Sequence, residues 1–193
     1  ATTPGFNNNK FNSTDPEKHR IRAITDQFEP GSTFKIVSAV SAIDNKYIKL
    51  ENEFNCENGS YEYYTIMVND HESYGMLTLP QIIQYSSNIG IIKIMEKVGS
   101  QVLYLKSREF GFGSKTGISL NGEVSGKLSP FTDWSAVSLG QIAMGHEIGV
   151  TAIQIALAYC AIANGGYLLK PRIVKQIMDF EGNIVYSEEP IVS

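Results

Sequence analysis

Three features of the sequence predict a mixed fold, α/β in class and α+β in kind, in which helices dominate. Three apolar runs, Ser32–Asn45, Ile89–Val98 and Thr151–Ala163, are long and periodic enough to be helices. Near the C-terminus, YLLKPRIVKQIMDFEGNIVYSEE alternates well enough for two strands joined by a turn at Glu181-Gly182-Asn183. Between them, residues 111–133 are dense in Gly, Ser and Pro and predict a long loop.

In chain order, residues 1–20, ATTPGFNNNKFNSTDPEKHR, are polar and rich in turn formers, which predicts an irregular approach segment. Pro30-Gly31 then signals a turn, and Ser32 is a residue type that starts helices. Residues 50–77 hold short strand-like or looping pieces around YEYYTIMV. Thr78 has the chemistry of an N-cap, with Pro80 inside the first turn of a short helix, LPQIIQY. Ser86-Ser87-Asn88 interrupts, the Ile89–Val98 helix follows, and Gly99 closes it. Residues 101–110 are helical by pattern. Thr151 caps the last helix, and Gly165-Gly166 ends it. Strands are expected to collect at the C-terminal end.

The chain has 193 residues, 42% hydrophobic and 19% charged, which suits a globular domain with its own core. A net charge of -4 and the lack of a Lys/Arg cluster exclude a nucleic-acid footprint. No apolar run approaches the ~20 residues of a membrane span. The first residue is not Met, from which a processed or cut-down chain is expected. His19, His71 and His146 are far apart with no ligand at helical spacing, so neither a metal nor another cofactor is expected. Cys160 lies in an apolar helix and is expected to be a packed core thiol; Cys56 lies in a polar loop, EFNCENGSYEYY. Nothing in their spacing suggests a disulfide framework.

One residue is out of place in this pattern. Lys35 puts an ammonium into an apolar helix, one turn above Ser32 and on the same side. A serine hydroxyl is a weak nucleophile until a base removes its proton. Burial can make lysine that base by disfavouring its charged form. The pattern alone is weak: S-x-x-K arises by chance roughly once in a chain of this length. A lysine stem lying on apolar surface with its head in water satisfies it equally. A second element adds weight. Ser86-Ser87-Asn88 forms S-x-N at a break between helices, where Ser86 could relay a proton and Asn88 could both donate to and accept from a substrate backbone. Such a string also occurs as a plain helix boundary, and Ser119-Leu120-Asn121 fits S-x-N too.

Four segments, RAITDQFEPGSTFK, YGMLTL…YSSNIG, FGFG…TGISLNGEVSG and TAIQIALAYCAIANGG…KPRIV, come in an order and at a spacing that resemble class B penicillin-binding proteins, the monofunctional peptidoglycan DD-transpeptidases. The resemblance runs from about Thr25 to Val174. It implies a penicillin-binding-protein/β-lactamase-like transpeptidase fold in which residues 1–193 form the helical part with an incomplete antiparallel sheet. It implies Ser32 as acylated nucleophile, Lys35 as its base, and Ser86 and Asn88 as the second motif. Implied ligands are stem peptides ending in D-Ala-D-Ala and β-lactam antibiotics. Implied partners of a full-length parent are glycosyltransferase, divisome or elongasome membrane proteins, at the extracytoplasmic face of the inner membrane under an N-terminal anchor outside this chain.

The same comparison identifies Lys115-Thr116-Gly117 as a decoy. The family's third motif lies on a strand beside the nucleophile, whereas this triplet comes soon after Ser86 inside a glycine-rich loop. By that comparison the true third motif lies beyond Ser193, and ATTPGF resembles the tail of an early strand. The helix at Ser32–Asn45 is then expected to be partly uncovered. Two rival readings fit the same serine. A serine β-lactamase would need a water-activating E-x-x-L-N type motif after Ser86, but the similar string Glu51–Asn55 precedes it. A β-lactam sensor or scaffold of the same fold would keep the serine without turnover.

Overall fold

The structure, a computed structural model, describes residues 5–192. Two 3-10 turns, Asn8–Ser13 and Pro16–His19, form the approach segment and lead into a single helical turn, α1 (Arg22–Thr25). The expected end of a strand at the N-terminus falls chiefly on residues 1–4, which lie outside the described residues. After Pro30, a 3-10 turn at Gly31–Phe34 runs directly into α2 (Lys35–Asp44). The helix expected from Ser32 therefore begins as a tighter turn. Gly31, at φ 55°, breaks the entry, and Ser32 lies within the 3-10 turn instead of capping a helix.

Four short strands follow: β1 (Glu53–Asn55), β2 (Ser60–Tyr63), β3 (Ile66–Asn69) and β4 (Met76–Thr78). They pair antiparallel as β1 with β4 and β2 with β3. The expectation that strands collect at the C-terminal end is thus corrected: most of the described strands lie between α2 and the next helix. Each is only three or four residues long, too short for a period of two to stand out in the sequence.

The short helix α3 (Leu79–Gln84) starts as expected, with Thr78 and Gln81 forming a capping box and Pro80 in the first turn. α4 (Asn88–Val98) is the centre of the molecule. Ile89, Gly90, Ile91, Ile92, Ile94, Met95 and Val98 are buried around nearly its whole circumference, as a core helix requires. α2, α3, α5 (Ser100–Glu109), α6 (Ser138–Ala143) and strands β1 and β3 pack on it. α6 has no strong sequence signal, because Gly140 weakens its pattern. That glycine is needed where it is: a Cβ there would run into the Tyr63 ring.

α7 (Ala152–Ala163) begins with a second capping box, Thr151 with Gln154. Ala158 and Ala161 are buried, whereas Tyr159, Cys160 and Ile162 are exposed. The two cysteines therefore exchange their expected settings. Cys160 is exposed because this face of α7 is uncovered, while Cys56 is fully buried under α4 beside Ser87; both are free thiols. α2 is partly uncovered, as expected: Val37, Ala39 and Ala42 are buried, Ile36 and Val40 are half-buried, and Ile43 is exposed. The chain ends in the expected hairpin, β5 (Gln176–Met178) with β6 (Ile184–Ser187), turning through residues 179–183 and exposed on both faces.

Candidate active site

Lys35 is 2% exposed at the first turn of α2, and its ammonium reaches across to the break between α3 and α4. There Nζ donates to Ser86 O at 2.5 Å, Ser86 Oγ at 3.0 Å and Asn88 Oδ1 at 2.7 Å. Three N–H donors meet three acceptors, so the charged form is fully hydrogen-bonded. Burial nevertheless wins over the favourable charge of Asp70, pushing the Lys35 pKa down to about 8. A fraction of neutral amine is thereby available near neutral pH.

The acceptors are presented by a strained backbone. Ser86 sits at φ 56°, in the left-handed region that a side chain disfavours. In that conformation both its carbonyl and its hydroxyl oxygen point to Lys35. Asn88 opens α4 and is fixed at both ends of its amide: Oδ1 accepts from Lys35, and Nδ2 donates to Asn69 O at 2.9 Å.

Ser32 is exposed on the 3-10 turn that precedes Lys35. The three hydrogen bonds of Lys35 all go to Ser86 and Asn88, so the structure joins the lysine to the second motif and leaves Ser32 Oγ outside that network. The turn carrying Ser32 is tied down from another side. Phe28 pairs with Val150, Gly31 N donates to Gly145 O at 3.0 Å, and the Glu29 carboxylate accepts from Glu147 N and bonds His146 Nδ1. Gly145 has to be a glycine, because a Cβ there would overlap the backbone of Gly31. The hydroxyl of Tyr159, on α7, donates to Thr33 O at 3.0 Å.

Lys115 is exposed on the 111–126 loop and lines a cavity of about 280 Å³ with Arg108, Gln154 and Leu168. Its neighbours in the triplet are already engaged. The nearly buried Glu123 carboxylate accepts from Thr116 N, Thr116 Oγ1 and Gly117 N, stapling the loop shut. The Thr116 and Gly117 donors of the triplet are thus consumed internally.

Sequence reasoning passed over Asp70. It follows β3, and its carboxylate accepts from Ser87 Oγ at 2.6 Å, Asn88 N at 2.5 Å and Ile89 N at 3.1 Å. These partners are 17 to 19 residues away, so no local pattern marks it.

Comparison with known proteins points to a single family. The family described as penicillin binding protein transpeptidase domain matches residues 1–192. The chain is 32% identical over 170 residues to penicillin-binding protein PbpB of Mycolicibacterium smegmatis, covering 87% of this chain and 26% of that protein. It is 31% identical over 193 residues to the peptidoglycan D,D-transpeptidase FtsI of Escherichia coli, covering 97% of this chain and 32% of that one. It therefore spans between a quarter and a third of these relatives' length. Among solved structures, penicillin binding protein 3 of Mycobacterium tuberculosis complexed with aztreonam superposes with a TM-score of 0.80 at 29% identity, over 93% of this chain and 41% of that one. The apo transpeptidase domain of Burkholderia pseudomallei penicillin-binding protein 3 gives 0.79 at 28%, over 86% and 50%. With its buried lysine joined to a Ser-x-Asn corner in the same overall fold, the chain belongs to the penicillin-binding protein transpeptidase domain family.

Proposed function

We propose that the protein carrying this chain is a peptidoglycan DD-transpeptidase working through an acyl-serine intermediate. The observation that carries the reading is the Lys35 amine, buried and lowered to about 8, bonded to Ser86 Oγ one helical turn from Ser32. Ser32 Oγ attacks the carbonyl of the penultimate D-Ala of a stem peptide and gives its proton to neutral Lys35. The tetrahedral intermediate then collapses with loss of the terminal D-Ala, whose nitrogen receives a proton passed from Lys35 through Ser86 Oγ. An amine of a second stem resolves the ester, releasing Ser32 with its proton. Asn88, oriented by Lys35 and Asn69, is set to bind the donor peptide backbone.

β-Lactams would acylate the same serine, in keeping with solved relatives complexed with ampicillin and aztreonam. Acting on peptidoglycan, the protein would work on the extracytoplasmic side of the inner membrane, beside the glycosyltransferase and divisome or elongasome proteins that the resemblance implies. No helix among the described residues is long and apolar enough to cross a membrane, so an anchor would be supplied from outside them. The test is covalent labelling of the full-length protein by a fluorescent penicillin, followed by release. Slow release fits a transpeptidase, rapid turnover a β-lactamase, and no labelling a scaffold.

A further inference from the structure

The geometry points to Asp70 as the positioning residue of this site: its carboxylate, at the N-terminus of α4, clamps the backbone just past Ser86 so that Ser86 and Asn88 are held against Lys35. The inference rests on the acyl-transfer reading above. Three acceptors for one ammonium come from only two residues, and one of these is in a left-handed conformation that relaxes unless its neighbours are fixed. On the helix side, Asp70 supplies that restraint. Its Oδ1 takes the N–H groups of Asn88 and Ile89, two of the donors a helix N-terminus leaves unpaired. Its Oδ2 takes the Ser87 hydroxyl, which in turn accepts from Gly90 N at 2.9 Å. Ser87 is thereby fully occupied as a cap, and the motif serine left facing Lys35 is Ser86.

Asp70 also supplies charge. It is the carboxylate that favours the ammonium form of Lys35. Charged groups on the helices packed against α2 are engaged elsewhere: Lys93 with Glu57, Glu96 with the Tyr61 hydroxyl, Lys97 over the Phe54 ring, Lys106 with Asp44 and Glu109, and Arg108 with Phe112 O. One carboxylate thus does two separable things, holding the corner by hydrogen bonds and retaining the Lys35 proton by charge.

The experiment measures the rate of Ser32 acylation by a fluorescent penicillin against pH in the full-length protein, for wild type, Asp70→Asn and Asp70→Glu, with melting curves alongside. Asp70→Asn keeps the shape but loses the charge and one acceptor. It should acylate about 10- to 100-fold more slowly at its plateau, with the midpoint of the pH profile moved to lower pH. Asp70→Glu keeps the charge but displaces the clamp, so it should be slowed with its midpoint near that of wild type. A wild-type rate and midpoint in Asp70→Asn would overturn the inference, as would slowing without any movement of the midpoint. If Asp70→Asn does not fold, Asp70→Glu decides: slowing at an unchanged melting temperature supports the clamp, and a wild-type rate overturns it. A wild type that is never labelled would sink the acyl-transfer reading itself, and this inference with it. A labelled wild type with indifferent variants removes the role of Asp70 alone.

Discussion

Lys35 and Lys115 stand in two regions of one chain, each inside a string that resembles a transpeptidase motif, and the fold treats them oppositely. The region around Lys35 is buried, and its polar groups converge from α2 and the α3–α4 corner. The region around Lys115 is a surface loop whose hydroxyl and amide donors are already taken by Glu123. Burial lowers the Lys35 pKa to about 8. A motif's chemistry is therefore set by what its groups are bound to before a substrate arrives, and the spelling of the string comes second.

The comparison can be broken at either end, and Ser32→Ala should have the largest effect. Covalent penicillin labelling of the full-length protein should disappear completely, and any remaining stoichiometric label would show that another residue is the nucleophile. Lys35→Ala comes next, with acylation expected to slow by about 10²- to 10⁴-fold while circular dichroism shows the fold retained. An unchanged rate would remove lysine from the chemistry.

On the other side, Glu123→Ala should cost stability and spare the chemistry. Leaving Thr116 N, Thr116 Oγ1 and Gly117 N without their acceptor should lower stability by about 1–3 kcal/mol, read as a shift in denaturant midpoint. The acylation rate of the folded fraction should stay at the wild-type value. Lys115→Ala should change neither property by a measurable amount. Loss of acylation in that variant would place Lys115 in the site and undo the contrast.

How much of this was legible in the sequence follows from the range over which each feature is encoded. The two capping boxes, Thr78 with Gln81 and Thr151 with Gln154, are complete within four residues, and both helices start where the sequence marks them. Gly99, at φ 87°, closes α4 as marked. The proximity of Lys35 to Ser86 and Asn88 follows from the resemblance, although their separation in the chain hides it from any local pattern. What stayed hidden depends on tertiary contact. The burial of Cys56 and exposure of Cys160 are decided by which helix faces are covered. The glycine that obscures α6 answers to the Tyr63 ring on a distant strand. Asp70 acts on partners almost twenty residues away.

The same lysine also makes stability depend on pH. Its folded pKa lies below the ordinary value of 10.5, so between about 8 and 10.5 the unfolded chain binds more protons than the folded one. Stability from this group should accordingly rise with pH across that window, by roughly 3 kcal/mol at most. Below it, the cost of the buried ammonium is carried in full.

The central claim is that Lys35 acts on Ser32 as a neutral amine. It is tested most directly by the pH dependence of the acylation rate in the full-length protein, under single-turnover conditions with a fluorescent penicillin. The rate should climb with pH through a single ionisation near 8, where burial has placed Lys35, and then level off. A flat profile, or a midpoint at the ordinary lysine value of 10.5, would contradict it.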